Sequence, residues 1–239
     1  MRREIPDLPR SWPSSYPAHR PVAADVSRRL DADAEAEHGV PSLVLMEHAS
    51  CGVAAVAALL SHPQDRIVVL CGPGNNGGDG YGAARFLASW GRTPRVLRCS
   101  RRPPPQADAA SEVRWSALET EAEDAWADSD LVARAVGEAD LLVDALFGVG
   151  LDRDLDGPFP GWIEVINEAQ ALRLAVDIPS GLDADTGHLR PVAVRADVTA
   201  TMAMPKEGLV THPSGALHAG VVVEVDIGLP GPLHRPYCV

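Results

Sequence analysis

The sequence predicts an α/β fold, a three-layer αβα sandwich around a mostly parallel central sheet. Three observations carry that expectation. Short, continuous apolar runs, the clearest at residues 66–71, have the length and composition of strands covered on both faces. Between them lie longer segments with apolar residues at helical spacing, in the alternation of βαβ units. The first clear strand also leads directly into a glycine-rich segment and then a helix, the junction where parallel sheets present their ligand loops.

Each element follows in order. Residues 1–21 carry Pro6, Pro9, Pro13, Pro17 and Pro21 with little apolar periodicity, so they read as a flexible arm before a single domain at 22–239. A helix is expected over about residues 23–37, stopped by Gly39-Val40-Pro41. A second, over about 43–60, is rich in alanine and leucine and apolar around much of its surface, which implies burial. After the strand at 66–71, a glycine loop at 71–81 precedes a helix with Ala83, Phe86, Leu87 and Trp90 at i, i+3, i+4 and i+7. Gly91 closes that helix, and a strand follows at 95–100. Beyond Pro103-Pro104-Pro105, residues 111–136 are acidic and helix-prone, with 119–124 expected as a solvated face. Strands are expected at 141–144, 172–177, 198–203 and 221–225, with a helix near 161–171.

Composition narrows the functions. With 33 acidic against 21 basic residues, the net charge of -12 opposes attachment to nucleic acid or an anionic membrane. There is no basic stripe with interleaved aromatics to suggest a nucleic-acid partner. The four cysteines, Cys51, Cys71, Cys99 and Cys238, form no CxxC pair, which suits a reducing, cytoplasmic setting. No segment reads as a membrane span or a secretory signal. His188, His212 and His218 lack the spacing of a zinc motif, and Cys71 has no Cys/His catalytic pattern around it.

The segment Cys71-Gly-Pro-Gly-Asn-Asn-Gly-Gly-Asp-Gly-Tyr81 carries the first chemical signal. Gly72, Gly74 and Gly77 satisfy GxGxxG, so backbone and helix N-terminus can approach a phosphate closely. Ordinary dinucleotide folds then place an acid about 20 residues onward to hold the ribose. Here the second strand ends Arg98-Cys99-Ser100-Arg101-Arg102 instead. The lysine and hydroxyl of a P-loop are missing too. Asn75, Asn76 and Asp79 are polar groups that neither pattern requires.

Two acidic strand ends add to this. Asp144 ends one apolar run before Gly148 and Gly150, and Asp177 ends another before Ile178-Pro179-Ser180. Such residues can serve as caps and turn formers. At the carboxyl ends of parallel strands, however, they converge with the glycine segment on one crevice. Asn76, Asp144 and Ser180 are hard oxygen donors that could surround a cation. One carboxylate among neutral oxygens suits a monovalent ion better than a divalent one.

Gly72-Pro-Gly-Asn-Asn-Gly-Gly-Asp-Gly80, Asp144-Ala-Leu-Phe-Gly-Val-Gly-Leu and Val176-Asp-Ile-Pro-Ser-Gly-Leu-Asp183 together resemble the NAD(P)H-hydrate epimerase family. Leu45-Met-Glu47, Ala196-Asp-Val-Thr-Ala-Thr201, Lys206-Glu-Gly208 and Asp226-Ile-Gly228 extend the likeness over about residues 23–229. Ser50 stands where the family usually has glycine, and Met202 and Met204 are unusual before Lys206.

The resemblance implies a Rossmann-like sandwich and a homodimer. It implies an isomerase that interconverts the S and R epimers of NADHX and NADPHX, reduced cofactors hydrated at C6 of the nicotinamide ring. A separate S-specific dehydratase would complete their repair, and a second, dehydratase domain is not expected in this sequence. By the same resemblance, Asn75, Asn76, Gly77, Gly78 and Asp79 contact the hydrated cofactor. Gly148, Val149, Gly150, Leu151, Asp152, Arg153 and Asp154 form a second substrate loop, and Asp177 lies near the chemistry. Asn76, Asp144 and Ser180 hold one potassium ion per subunit. Asp177 is the expected general acid/base, with Asp79 as the alternative. Arg98, Arg101 and Arg102 either favour a 2′-phosphate or are surface charges. The rival functions are a non-catalytic binding or scaffold domain of the same fold and an ordinary NAD-dependent oxidoreductase.

Overall fold

The computed structural model describes residues 4–100, 122–126 and 128–239. In chain order the elements are β1 (Ser11–Trp12), α1 (Ala24–His38), α2 (Ser42–Leu60), β2 (Ile67–Cys71), α3 (Asn75–Ser89), β3 (Arg95–Arg98) and β4 (Glu123–Asp124). They continue with α4 (Ser129–Glu138), β5 (Leu141–Ala145), α5 (Phe159–Glu168), β6 (Leu172–Val176) and β7 (Val198–Met202). Short helices α6 (Glu207–Val210) and α7 (Pro213–Ala219), strand β8 (Val221–Val225), α8 (Gly231–His234) and a 3-10 turn at Arg235–Tyr237 close the described chain.

The strands form one sheet in the order β1-β8-β7-β6-β5-β2-β3-β4, and every neighbouring pair is parallel. The sandwich follows from strand alternation. In β2, Ile67, Val69 and Cys71 face the core shared with α1, α2 and α3, while Val68 and Leu70 face the core shared with α4 and α5. From β2 the chain winds outward through β3 and β4, then returns to lay β5 against the other side of β2. The connections after β2 and β5 therefore diverge in opposite directions, leaving a crevice between them at the carboxyl edge.

The structure departs from the sequence expectations in several places. The glycine segment is mostly helix: α3 begins at Asn75, so only residues 72–74 are loop. Three glycines in its first turns are poor helix formers, and tertiary packing overrides that preference. A Cβ on Gly77 would lie 2.0 Å from the Gly72 carbonyl oxygen, and one on Gly80 would lie 2.6 Å from the Ala145 side chain. The N-terminal segment, expected as a loose arm, adds β1 in parallel to β8, with Glu224 and Asp226 N–H groups donating to Arg10 and Trp12 carbonyls at 2.9 and 2.8 Å. Residues 111–136 do not form one helix; β4 interrupts before α4, and the part at 111–121 lies outside the described residues. Glu123 and Asp124 pair with Arg95 and Arg98 across β3 and β4. Arg98 is thus engaged with a carboxylate, and Arg101 and Arg102 lie outside the described residues.

Helix α2 does have the length and hydropathy of a membrane span, contrary to the sequence reading, but 61% of that stretch is buried within the fold. Its small residues let it lie close on the sheet: a Cβ on Gly52 would sit 2.1 Å from Val225 Cγ1. It is a core helix by packing.

Candidate active site

A cavity of about 530 Å³ opens at the crevice between the β2 and β5 connections. Its walls come from Asn75, Asn76 and Asp79 on α3, residues 146–153 after β5, Asp177 after β6, Met202 and Lys206 after β7, and Ser27, Arg28 and Asp31 on α1. The volume is in the range that takes a small-molecule ligand.

On the α3 side, Gly74 is the N-cap in an extended conformation with no side-chain cap. Gly74, Asn75 and Asn76 line the cavity, so the uncapped N–H groups of a four-turn helix face it. The close approach has a steric basis. A Cβ on Gly72 would lie 1.8 Å from the Leu146 carbonyl oxygen, so glycine lets the turn after β2 press against the connection after β5. Asn76 is buried and its Nδ2 has no hydrogen-bond partner among the described residues, leaving a donor at the wall. A Cβ on Gly148 would fall 2.9 Å from Asn76 Oδ1, so this amide packs directly on the second loop.

Asp144 and Ser180 lie behind that wall. Ser180 N–H donates to Asp144 Oδ2 at 2.8 Å, and Ser180 Oγ donates to Oδ1 at 2.6 Å. Leu146 N–H donates to Oδ1 at 3.3 Å, and Phe147 N–H donates to Ser180 Oγ at 2.9 Å. Asp144 is 1% exposed and its hydrogen-bond partners are all neutral. Burial pushes its pKa up to about 6, with the Ser180 and Leu146 hydrogen bonds working in the opposite direction. Asn76 joins this pair through the Phe147–Gly148 turn.

Asp177 sits on a different wall, directly after β6, with φ +65, in the left-handed region that non-glycine residues avoid. Ala203, near Lys206, has φ +57. Two such residues beside one cavity represent strain on the order of 1–3 kcal/mol each, held by the surrounding contacts. Asp177 Oδ1 accepts from Lys206 Nζ at 2.5 Å and from Met202 N–H at 3.1 Å. Lys206 Nζ also donates to the Met202 carbonyl at 2.9 Å and to Thr201 Oγ1 at 3.3 Å. Lys206 is fully buried, so its ammonium is desolvated and held by three oxygens, while Asp177 faces the cavity.

The structure thus brings Asn75, Asn76, Asp79, Gly148, Val149, Gly150, Leu151, Asp152, Arg153 and Asp177 to one cavity. Gly77, Gly78 and Asp154 are not part of its lining; Gly77 instead packs on Gly72. Asp183 has a structural place: burial opposes its ionisation, yet hydrogen bonds from Thr186 and Arg190 hold its pKa at about 2. Two cavity-lining side chains escaped the sequence reading. Lys206 entered it only as part of a family likeness, not as the partner of Asp177. Asp31 was not singled out at all, although it lines the cavity from α1. Desolvation lifts Asp31 to about 6, Lys206 opposes the shift and Asp177 adds to it. A carboxylate on a predicted helix gave no signal, because solvated helix faces carry many such residues.

An α/β sandwich with a nucleotide-sized cavity at its topological switch point, an anion-receptive helix start and a buried Asp–Lys pair defines a Rossmann-like ligand-binding or catalytic domain. The chain belongs to the family described as YjeF-related protein N-terminus, whose model matches residues 42–208. It is 41% identical over 192 residues to the NAD(P)H-hydrate epimerase of Limosilactobacillus fermentum, covering 80% of this chain and 88% of that protein. It is 34% identical over 228 residues to the NAD(P)H-hydrate epimerase of Rhodopirellula baltica, covering 92% and 88%. The bifunctional NAD(P)H-hydrate repair enzyme Nnr of Hyperthermus butylicus is 42% identical over 206 residues, but the match spans only 37% of its length. The crystal structure of yeast ynu0 has the same fold, with a TM-score of 0.73 over 86% of this chain and 87% of that one at 22% identity.

Proposed function

We propose that this chain is an NAD(P)H-hydrate epimerase, interconverting the S and R forms of NADHX and NADPHX within a domain at residues 22–239. The observation that carries the reading is the cavity itself. It joins an uncapped helix start suited to a pyrophosphate with a strained aspartate paired to a buried lysine. Relatives that carry this activity in their names align along nearly their whole length.

The chemistry asks little of the protein in covalent terms. A proton delivered to the C6 hydroxyl expels water, and the lone pair of the ring nitrogen stabilises the cation that remains. Water then adds to the opposite face and returns the proton. Asp177 is the group proposed to give and retake it. Asp79, on the first turns of α3, is the alternative on the same cavity. Asp31, with its pKa raised to about 6, is a third carboxyl able to supply a proton. Lys206 fixes the carboxylate of Asp177, and the loop at 148–153 covers the site, tied to α1 by Arg28 Nη1 donating to the Val149 carbonyl at 3.1 Å.

A potassium ion per subunit belongs to the same proposal, held by Asn76, Asp144 and Ser180. It is supported by Asp144, a buried carboxylate that meets only neutral donors. When bound, the cation would supply the positive charge that this carboxylate lacks and pin the 146–148 turn. A homodimer is also proposed, for which Leu43 and Val44 offer exposed apolar surface at the start of α2. A cytoplasmic setting and a separate dehydratase partner complete the reading.

The test is direct. Purified protein is mixed with R-NADHX and an S-specific dehydratase, and NADH recovery is followed. Recovery faster than with dehydratase alone is expected. An unchanged rate would leave the scaffold reading standing.

A further inference from the structure

At the β1 edge of the sheet, a second group of chemically competent side chains lies apart from the cavity. The segment at 18–20 runs antiparallel to the one at 237–239, with Arg20 N–H donating to the Tyr237 carbonyl at 2.9 Å and Val239 N–H to the Ala18 carbonyl at 3.0 Å. This pairing sets His19 opposite Cys238 and beneath His234. His19 Nε2 lies 3.2 Å from His234 Nδ1, Cys238 Sγ lies 3.9 Å from the same nitrogen, and the three atoms fall within 4.8 Å of one another. Tetrahedral zinc, with bonds of about 2.0–2.1 Å to nitrogen and about 2.3 Å to sulfur, sets its ligand atoms roughly 3.3–3.7 Å apart. The observed spacings bracket that range.

The surroundings prepare His19 for ligation. Its Nδ1 lies 2.9 Å from Glu224 Oε2, and its backbone N–H donates to the same oxygen at 3.1 Å. A carboxylate only accepts, so the proton sits on Nδ1 and the Nε2 lone pair faces His234 and Cys238. Glu224 is 2% exposed and belongs to β8, so the imidazole is oriented from the sheet itself. A buried carboxylate on the far nitrogen is the arrangement that fixes metal-bound histidines. The Tyr16 ring, centred 4.8 Å from His19 and 5.8 Å from His234, packs against both imidazoles. Cys238 is exposed, which leaves an entry path and room for water as a fourth ligand.

We propose that His19, His234 and Cys238 bind a divalent transition-metal ion of the zinc class. None of the three lines the cavity, so the ion acts as a clasp between the 16–20 and 234–238 segments rather than in the epimerase chemistry. Two imidazoles and a thiolate suit zinc or cobalt better than calcium or magnesium, which require oxygen. On binding, the Cys238 thiol releases its proton to solvent.

The probe is Co²⁺ titrated into the chelator-treated full chain, followed by absorption, with Zn²⁺ as competitor. One Co²⁺ per chain with a thiolate-to-cobalt band, displaced by Zn²⁺, is expected. Cys238→Ser should remove that band, and both it and His234→Ala should weaken binding more than about tenfold. Zn²⁺ should raise the melting temperature of the parent and not of Cys238→Ser. Circular dichroism confirms that both variants fold, and His19 is left intact because it partners buried Glu224. Absence of stoichiometric binding, or an unchanged spectrum in Cys238→Ser, overturns the site and reduces the cluster to a His19–His234 hydrogen bond.

Discussion

Replacing Asp144 with asparagine tests the cation proposal through stability alone, without any substrate. Asp144 is buried and its pKa stands at about 6 against an ordinary 3.8. Two units correspond to about 3 kcal/mol. Because the folded pKa is raised, the folded state holds the proton more tightly than the unfolded chain between about pH 4 and 6. Stability therefore falls as pH rises through that window, and the full cost is present above it. A bound potassium ion offsets the cost only where the carboxylate is ionised. Thermal melts in potassium chloride and in choline chloride, at equal ionic strength, separate this from general screening. At pH 8 potassium should raise the melting temperature, by up to about 6–12 °C if it recovers the whole term. At pH 5 the two salts should give the same melt. In Asp144→Asn the potassium response should vanish, and stability at pH 8 in choline should match or exceed that of the parent. The asparagine can keep the Ser180 contacts, with its oxygen accepting from Ser180 N–H, its amide donating to Ser180 Oγ, and the serine hydroxyl turning to the Phe147 carbonyl at 3.2 Å, at the loss of the 3.3 Å bond from Leu146 N–H. Identical parent melts in the two salts at pH 8, or a potassium response that survives in Asp144→Asn, would refute the reasoning.

The other expectations concern the cavity. Asp177→Asn should lower epimerisation about 10²–10⁴-fold in the coupled NADH assay while equilibrium binding of the substrate is kept; near-normal turnover would sink the acid/base assignment. Lys206→Met leaves Asp177 without its buried counter-charge and should cost about 3–5 kcal/mol in urea unfolding. Gly77→Ala forces a Cβ to 2.0 Å from the Gly72 carbonyl and should cost about 1–3 kcal/mol, with a raised KM as the start of α3 shifts. If Asp31 supplies a proton, kcat/KM should fall as pH rises through about 6, and Asp31→Asn should remove that inflection.

The periodic signals in the sequence led to the right architecture because they are local. Residues 67–71 are apolar throughout and 172–176 are apolar but for Arg173, and a strand covered on both faces needs that pattern. The glycine segment was legible as a site but misread as a loop. Helix propensity argues against Asn-Asn-Gly-Gly-Asp-Gly starting a helix, and the contact that overrides it lies on β5, some 65 residues away. The edge strand at Ser11–Trp12 was missed for a similar reason. Two residues flanked by prolines carry no period, and their hydrogen bonds go to β8 at the other end of the chain.

The Asp177–Lys206 pair shows where local reading stops. Asp177 was legible because an acid at the carboxyl end of an apolar strand stands out against its neighbours. Lys206 was not, since a single lysine near a strand end is usually a solvated charge. What sets it apart is its burial, which is fixed by β7 lying beside β6, by the left-handed turn at Ala203, and by the bridge from Val22 to Lys206. Apart from β6 itself, none of those lies within 20 residues of Asp177. A fully buried ammonium held by one carboxylate, one carbonyl and one threonine hydroxyl is expensive to build. A scaffold domain would gain as much stability from an apolar side chain at the same place. The cost, placed on the wall of the cavity with two strained backbones beside it, is what a catalytic site requires and a binding module does not.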